Sequence, residues 1–422
     1  MIRKYSAKSL LLSLFLLFVQ LSGAAEDLVG FPEAAANYQA YPTSFPALTP
    51  APAGYEPFHI EHYGRHGSRW LIGEDRYQYP VDVLEMAARN GALTERGAEV
   101  LTELKPLREA ARGRDGELTP LGAEQHKGIA RRMARNFPQV FAPEATVEAR
   151  STVVIRCILS MLNAVEELRG IYTDLNIHTD ASNADMYYMN HQGETDASRA
   201  VEAAKPVLDR YREAHPVSGD FARVLINNEK LIADSVEIKR FMDDLFDIAA
   251  NSVSHGAQSP IADVFTPEEV HNQWLKHNAF WFLRNGNSKL TGNIASNHQV
   301  NLLHNVVLSA DTAMTSPHHS VNLRFGHEGN LIALVVLLEL DDFAREIDSL
   351  DDVYPLWRDY EIFPMGANVQ LVFYRPRRGA YTEDEVLVKA LLNEREVRLP
   401  ATPVSGPYYR WTDLKSRYLS KK

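Results

Sequence analysis

The chain has 422 residues, 45% of them hydrophobic and 23% charged, which is ordinary globular usage at a length beyond one minimal domain. Against 44 basic residues stand 55 acidic ones, and the formal charge of −11 disfavours nucleic acid as a partner. It does not exclude a small anion, because a local arginine cluster can dominate the field inside a cleft.

Arg3, Lys4 and Lys8 precede an apolar run over 10–21, and Ser22-Gly23-Ala24-Ala25 follow it. This pattern predicts a secretory signal peptide over 1–25, cut after Ala24 or Ala25. The apolar run falls short of the ~20 residues that span a membrane. No later stretch is long enough, so no integral span is expected after cleavage. No cysteine lies at the cut for a lipid anchor. The one cysteine, Cys157, leaves no intrachain disulfide, which points to a periplasmic or similar secreted destination.

Pro, Ala and Tyr dominate 26–56, read as an irregular arm. Alternation over 58–63 predicts a strand. It delivers Arg65-His66-Gly67-Ser68-Arg69, two permanent cations around one titratable ring. Gly67 would leave room there for a ligand. Helices are expected over 80–89 and 94–111, and a third to 136, with Thr119 as N-cap and Pro120 as its first residue. A second strand over 146–150 ends in Arg150-Ser151-Thr152 and leads into a helix through Arg156, Cys157, Met161 and Val165. From 172 to 300 helical periodicity dominates, notably over 198–213, 236–250 and 267–283. A strand over 321–326 ends at His327-Glu328, before an apolar helix over 331–340. A strand over 369–374 and a hairpin over 386–392 and 396–399 complete the pattern.

The expected fold is α/β: a three-layer sandwich around a central, mostly parallel sheet, plus an inserted all-helical domain. The core would comprise 26–170 and 301–422, and the insertion, a candidate lid, 171–300. Three strand ends then carry chemistry, and such ends can lie side by side in a doubly wound sheet. Arg65, Arg69 and Arg150 would hold phosphoryl oxygens, with His327 donating a further hydrogen bond. Neutral His66 would attack phosphorus. Glu328 would protonate the leaving group if partial burial raised its pKa, then activate water. This chemistry needs no metal and no other cofactor, and its partner is a small anionic phosphomonoester. His318-His319 lack the carboxylate or cysteine cluster of a metal site. His59 and His62 read as packing groups. Arg76, His126, Lys127 and Asn368 read first as structural, with substrate contact as the alternative.

Arg65-His66-Gly67-Ser68-Arg69, Arg150-Ser151-Thr152, the late His327-Glu328 and Leu118-Thr119-Pro120-Leu121-Gly122 with Gln125-His126 together resemble the histidine phosphatase superfamily, in its acid phosphatase and phytase branch. Arg156-Cys157, the segment 181–189 and Met365-Gly366-Ala367-Asn368 are most similar to the bacterial multiple inositol polyphosphate phosphatases. The resemblance implies a phosphohistidine at His66, with Arg65, Arg69, Arg150 and His327 around the phosphate. It further implies an exported enzyme for phytate and lower inositol phosphates. Alternatives are a periplasmic acid phosphatase for sugar phosphates, a non-catalytic phosphate-binding relative, and a phosphoglycerate mutase-like transferase, against which the signal peptide and helical insertion speak. Two departures stand out. Trp70-Leu71-Ile72 replaces the branch's frequent Pro-Thr pair. Glu328 occupies a position where one subgroup has Asp, while the inositol polyphosphate subgroup has Ala there and Glu one residue later, where this chain has Gly329.

Overall fold

Strand β1 (Tyr55–Arg65) runs through the middle of an eight-stranded sheet and is buried along most of its length. It serves two cores: Phe58, at a register irregularity between Pro57 and His59, and Tyr63 join one hydrophobic cluster, and Ile60 joins the other. The computed structural model describes residues 28–256, 261–316 and 318–422. The expected signal peptide, 1–25, lies outside these residues.

Helix α1 (Asp75–Arg89), α2 (Glu95–Ala111) and α3 (Pro120–Asn136) follow β1. Thr119 caps α3 by accepting from the Gly122 amide, with Pro120 in the first turn, as its sequence predicts. Strand β2 (Thr146–Ser151), α4 (Ile155–Ile171) and β3 (Asn176–Asp180) come next. The following segment holds α5 (Asp196–Ala214), α6 (Ile238–Asn251), α7 (Pro267–Asn285) and α8 (Val300–Met314), with shorter helical turns between them. Strand β4 (Ser320–Gly326) leads into α9 (Glu328–Leu337). The chain closes with β5 (Asn368–Pro376), β6 (Leu387–Leu392), β7 (Arg395–Val397), β8 (Tyr409–Arg410) and α10 (Thr412–Leu419).

The sheet order is β3-β2-β4-β1-β5-β6-β7, with β8 on β6. Helices α3 and α4 bring Met133 and Val165 against Val147 and Leu323 on one face. Helices α8 and α9 bring Leu303 and Leu331 against Phe58 and Leu371 on the other. The three-layer α/β expectation therefore holds. Parallel pairing is confined to β3, β2, β4 and β1; β5 to β8 pair antiparallel. For β6 and β7 a short connection dictates this: only Asn393 and Glu394 intervene, both at positive φ, too few residues for a crossover.

The expected all-helical segment needs correction at its start, because β3 pairs with β2 as the sheet's edge. Its sequence hides this, since Ile177 is the one buried residue of the strand. Later helices of the segment share a core with the sheet: Phe241, Leu245, Trp274 and Phe282 belong to the same cluster as Phe58 and Leu331. Among the described residues no helix is long and apolar enough to cross a membrane.

Candidate active site

Parallel register brings three strand ends together. Arg65 of β1 pairs with Gly326 of β4, and Ser151 of β2 with Phe325. His66, His327 and Thr152 therefore emerge side by side at the carboxyl edge of the sheet, where open α/β folds place their ligands. The loop after β1 is held by its backbone. The His66 amide donates to Gly326 O at 2.9 Å, and the Gly366 amide to His66 O at 3.0 Å. The Ser68 amide donates to Gln125 Oε1 at 2.8 Å, and the Gly67 amide to Ser160 Oγ at 3.2 Å. Gly67 serves this fixation, not the ligand space expected of it. A Cβ there would lie 2.3 Å from Gly122 O, and one on Gly122 would lie 2.2 Å from Ser68 O. The two glycines allow the first turn of α3 to touch the loop backbone.

His66 is fully buried, and its Nδ1 donates to Gly67 O at 2.9 Å. That contact puts the lone pair on Nε2, which has no hydrogen-bond partner. Burial, reinforced by Arg65 and Arg156, holds the ring well below its ordinary pKa despite the pull of Glu328. His66 is thus a neutral imidazole with a bare Nε2. The His327 ring centre lies 5.9 Å from that of His66, and Thr152 Oγ1 lies 3.3 Å from His327 Nε2. Burial lowers His327 to about 4, with Arg156, Arg65 and Arg69 adding to the effect against Glu328. Its backbone is set by Tyr63, whose hydroxyl accepts from the His327 amide at 3.2 Å.

Arg65 donates through Nη1 to Phe363 O at 2.7 Å, while its buried Nε and Nη2 have no hydrogen-bond partner. Arg69 lies over the Tyr38 ring at 5.4 Å and leaves Nε unpartnered. Glu328 Oε2 approaches Arg65 Nε at 3.4 Å and His66 Nε2 at 3.6 Å. Burial alone would raise this carboxyl; the guanidinium of Arg65, with that of Arg69 adding, outweighs it and holds Glu328 well below the usual carboxylate range. The expected rise by partial burial is therefore reversed.

Arg150 is not part of this cluster. It points from β2 into a different cavity, where it sits 3.5 Å from Glu148 and 3.8 Å from Asp185, with 36% of its side chain exposed. The strand's alternation explains the error: Ala149 and Ser151 are buried on one side, Arg150 only half-buried on the other. The third guanidinium belongs to Arg156, in the first turn of α4, whose Nε is buried without a partner. Burial lowers its pKa, with Arg69 adding and Glu328 opposing. A basic residue in a helix's first turn, directly after a strand end, was the available signal.

Other candidates have structural partners. Arg76 pairs with Asp244 and Asp247, and Lys127 with Glu124. His126 is buried against Phe325, and Asn368 is buried with its amide on Tyr41 Oη at 2.8 Å. Among the described residues one trio comes within metal-ligand range: His66, His327 and Glu328, their ligand atoms within 4.8 Å of one another. The guanidinium groups of Arg65, Arg69 and Arg156 bear on the same trio, so its field suits an anion.

The sequence pattern of the histidine phosphatase superfamily (branch 2) matches residues 110–393, more than half of the chain. The chain belongs to that superfamily. Its matched span begins after the Arg65–Arg69 loop, which the parallel sheet carries to the same site. As a histidine phosphatase it is a phosphomonoesterase enzyme. Its fold is similar to that of the Bifidobacterium longum multiple inositol polyphosphate phosphatase in complex with phosphate: TM-score 0.74 and 21% identity, over 92% of this chain and 98% of that one. The same Bifidobacterium protein in complex with inositol hexasulfate gives TM-score 0.73 at 20% identity, over 91% and 97%. The phytase from D. castellii gives 0.68 at 14% identity, over 94% and 90%. A cavity of about 660 Å³ at this site is lined by Arg156, His327 and Glu328 and by Phe280, Trp281 and Arg284 of α7.

Proposed function

We propose that this histidine phosphatase hydrolyses phosphomonoesters through a phosphohistidine at His66, without a metal, and that phytate and lower inositol phosphates are its substrates. The observation that carries the reading is the neutral His66 with a bare Nε2, in the field of Arg65 and Arg156, whose buried Nε atoms have no hydrogen-bond partner. Arg65, Arg69 and Arg156 take the phosphoryl oxygens, and His327 donates to one of them. The His66 Nε2 lone pair attacks phosphorus as the ester P–O bond breaks. The leaving oxygen takes a proton from the Glu328 carboxyl. A water molecule then gives its proton to Glu328 and its hydroxide to phosphorus, which releases inorganic phosphate and neutral His66.

Glu328 can hold that proton only once substrate is bound. The phosphate dianion replaces the carboxylate beside Arg65 and neutralises the charges that keep its pKa low. Substrate binding and acid protonation are then a single event. The inositol polyphosphate reading draws on the relatives named above and on a cavity much larger than one phosphate. The segment over 1–25 supports export.

The test is phosphate release from phytate, glucose phosphates and an aryl phosphate with EDTA present. Turnover of phytate that survives EDTA and is abolished in His66→Ala is the expected result. Loss of activity with EDTA overturns the metal-free chemistry, and turnover of the aryl phosphate without phytate overturns the substrate.

A further inference from the structure

We propose that Thr152 and Cys157 are positioning residues for His327, and that together they hold its ring and select the tautomer that donates to the phosphoryl group. The proposal rests on the phosphomonoesterase reading. It gives the Arg150-Ser151-Thr152 motif a part in the reaction, which Arg150 itself does not supply.

Both residues are fully buried. Thr152 directly follows β2, and its amide donates to Phe325 O at 3.0 Å, which fixes it beside the end of β4. Its Oγ1 thereby comes to 3.3 Å from His327 Nε2. Cys157 stands in the first turn of α4. Its thiol donates to Gly326 O at 3.3 Å, and the same carbonyl accepts from the His66 amide at 2.9 Å. The sulfur lies 3.9 Å from Nδ1 and 3.9 Å from Nε2 of His327. Equal distances describe a sulfur packed against the ring, not one bonded to a single nitrogen. One thiol thus touches the ring of His327 and the carbonyl that seats the backbone of His66.

The direction of each hydrogen bond follows from its end point. Gly326 O can only accept, so the thiol proton goes there. The Thr152 hydroxyl then has two acceptors, the Cys157 sulfur and His327 Nε2. Sulfur is the weak acceptor of the two, so the hydroxyl donates to Nε2. Burial holds the His327 pKa at about 4, and the neutral ring carries one proton. With the Nε2 lone pair engaged, that proton sits on Nδ1, which is the donor left for a phosphoryl oxygen. The opposite tautomer would spend its N–H on Thr152 and turn a lone pair toward an anion. A hydroxyl fixed in advance removes this choice before substrate arrives.

The experiment compares wild type with Thr152→Val, Thr152→Ser and Cys157→Ala, each checked for folding by its denaturant midpoint. Valine keeps the branched shape without the hydroxyl, and serine keeps the hydroxyl without the branch. In enzyme labelled with 15N-histidine, the His327 signals are assigned by their loss in His327→Asn. Wild type is expected to show His327 protonated on Nδ1, and Thr152→Val to shift it toward Nε2. On an aryl phosphate Thr152→Val should lower kcat about 10²-fold, the scale of one misdirected transition-state donor, with a smaller change in KM. Thr152→Ser should recover kcat to within about 3-fold of wild type, because the donor is restored. Cys157→Ala should keep the Nδ1 tautomer and lower kcat by less than about 10-fold, through a looser ring. Unchanged kcat in folded Thr152→Val overturns the proposal. So does an equal loss in Thr152→Val and Thr152→Ser, which would make the role one of packing, and so does a wild-type ring protonated on Nε2. A wild type that hydrolyses no phosphomonoester sinks the phosphatase reading, and the nitrogen signals still decide the tautomer.

Discussion

Glu328 Oε2 stands 3.6 Å from the His66 nitrogen that has no other partner, and 3.4 Å from Nε of Arg65. The carboxylate thus lies where a phosphoryl oxygen would meet the same arginine. In the proposed mechanism substrate displaces it, and the displacement changes its charge state.

This sets the pH profile. His66 and His327 have lowered pKa values, His327 at about 4, so both remain neutral as pH falls through the range where free histidine charges. Glu328 is held low and is ionised in the free enzyme above that pKa. In the proposed mechanism its reactive form is the acid, which becomes scarcer as pH rises. For alkyl phosphates kcat/KM should fall from pH 5 to pH 8, and Glu328→Gln should flatten the profile. A rate that climbs through pH 6.5 would mean that a histidine of ordinary pKa must lose a proton, against the burial of His66 and His327.

Arg156 and Arg150 separate cleanly by mutation. Arg156 bears on His66, His327 and Glu328, so Arg156→Ala should lower kcat about 10²–10³-fold, the scale of losing one transition-state donor. Arg150 is paired with Glu148 and Asp185 in another cavity, and Arg150→Ala should leave kcat within about 2-fold, since exposed pairs contribute little. Equal losses from both substitutions would restore Arg150 to the phosphate site.

The Gly67–Gly122 approach predicts a stability defect with a built-in control. Gly67→Ala or Gly122→Ala must push backbone apart and should cost ~1–3 kcal/mol, with loss of activity in the folded fraction. Gly170, near the end of α4, has nothing within 4 Å of a new Cβ, and Gly170→Ala should stabilise by ~0.5–1 kcal/mol. Denaturant melts of the three variants decide this. A neutral Gly67→Ala would show that the loop backs away without penalty.

The displaced acid can be moved by one residue. A Cβ on Gly329 would meet only Trp281 and Asn285, both at 3.8 Å, so a side chain fits there. Glu328→Ala should slow alkyl phosphates far more than aryl phosphates, whose leaving groups need less proton donation. Adding Gly329→Glu should restore part of the alkyl rate. Rescue of aryl and alkyl turnover alike would assign the carboxylate a role other than proton donor.

Much of this was legible locally. Arg65, His66, Arg69, His327 and Glu328 carry their chemistry in short motifs at strand ends, and the Thr119-Pro120 start of α3 is a capping signal read from two residues. Strand β3 was not legible, because an edge strand with one buried residue lacks the alternation that betrays a strand. Arg150 misled for a related reason: adjacent strand residues face opposite ways, and the motif alone does not say which way the arginine points.

By itself, then, the sequence determined which residue types could meet: a nucleophilic ring, forked cations and one acid, each tied to the end of a strand. Only the tertiary structure decided which of them do meet. The register of β1, β4 and β2 chose the neighbours of His66, and the pleat of β2 sent Arg150 away while the first turn of α4 supplied Arg156. It also decided the charge of Glu328. Burial and nearby arginines push a carboxyl in opposite directions, and the winner depends on distances that residue order does not contain.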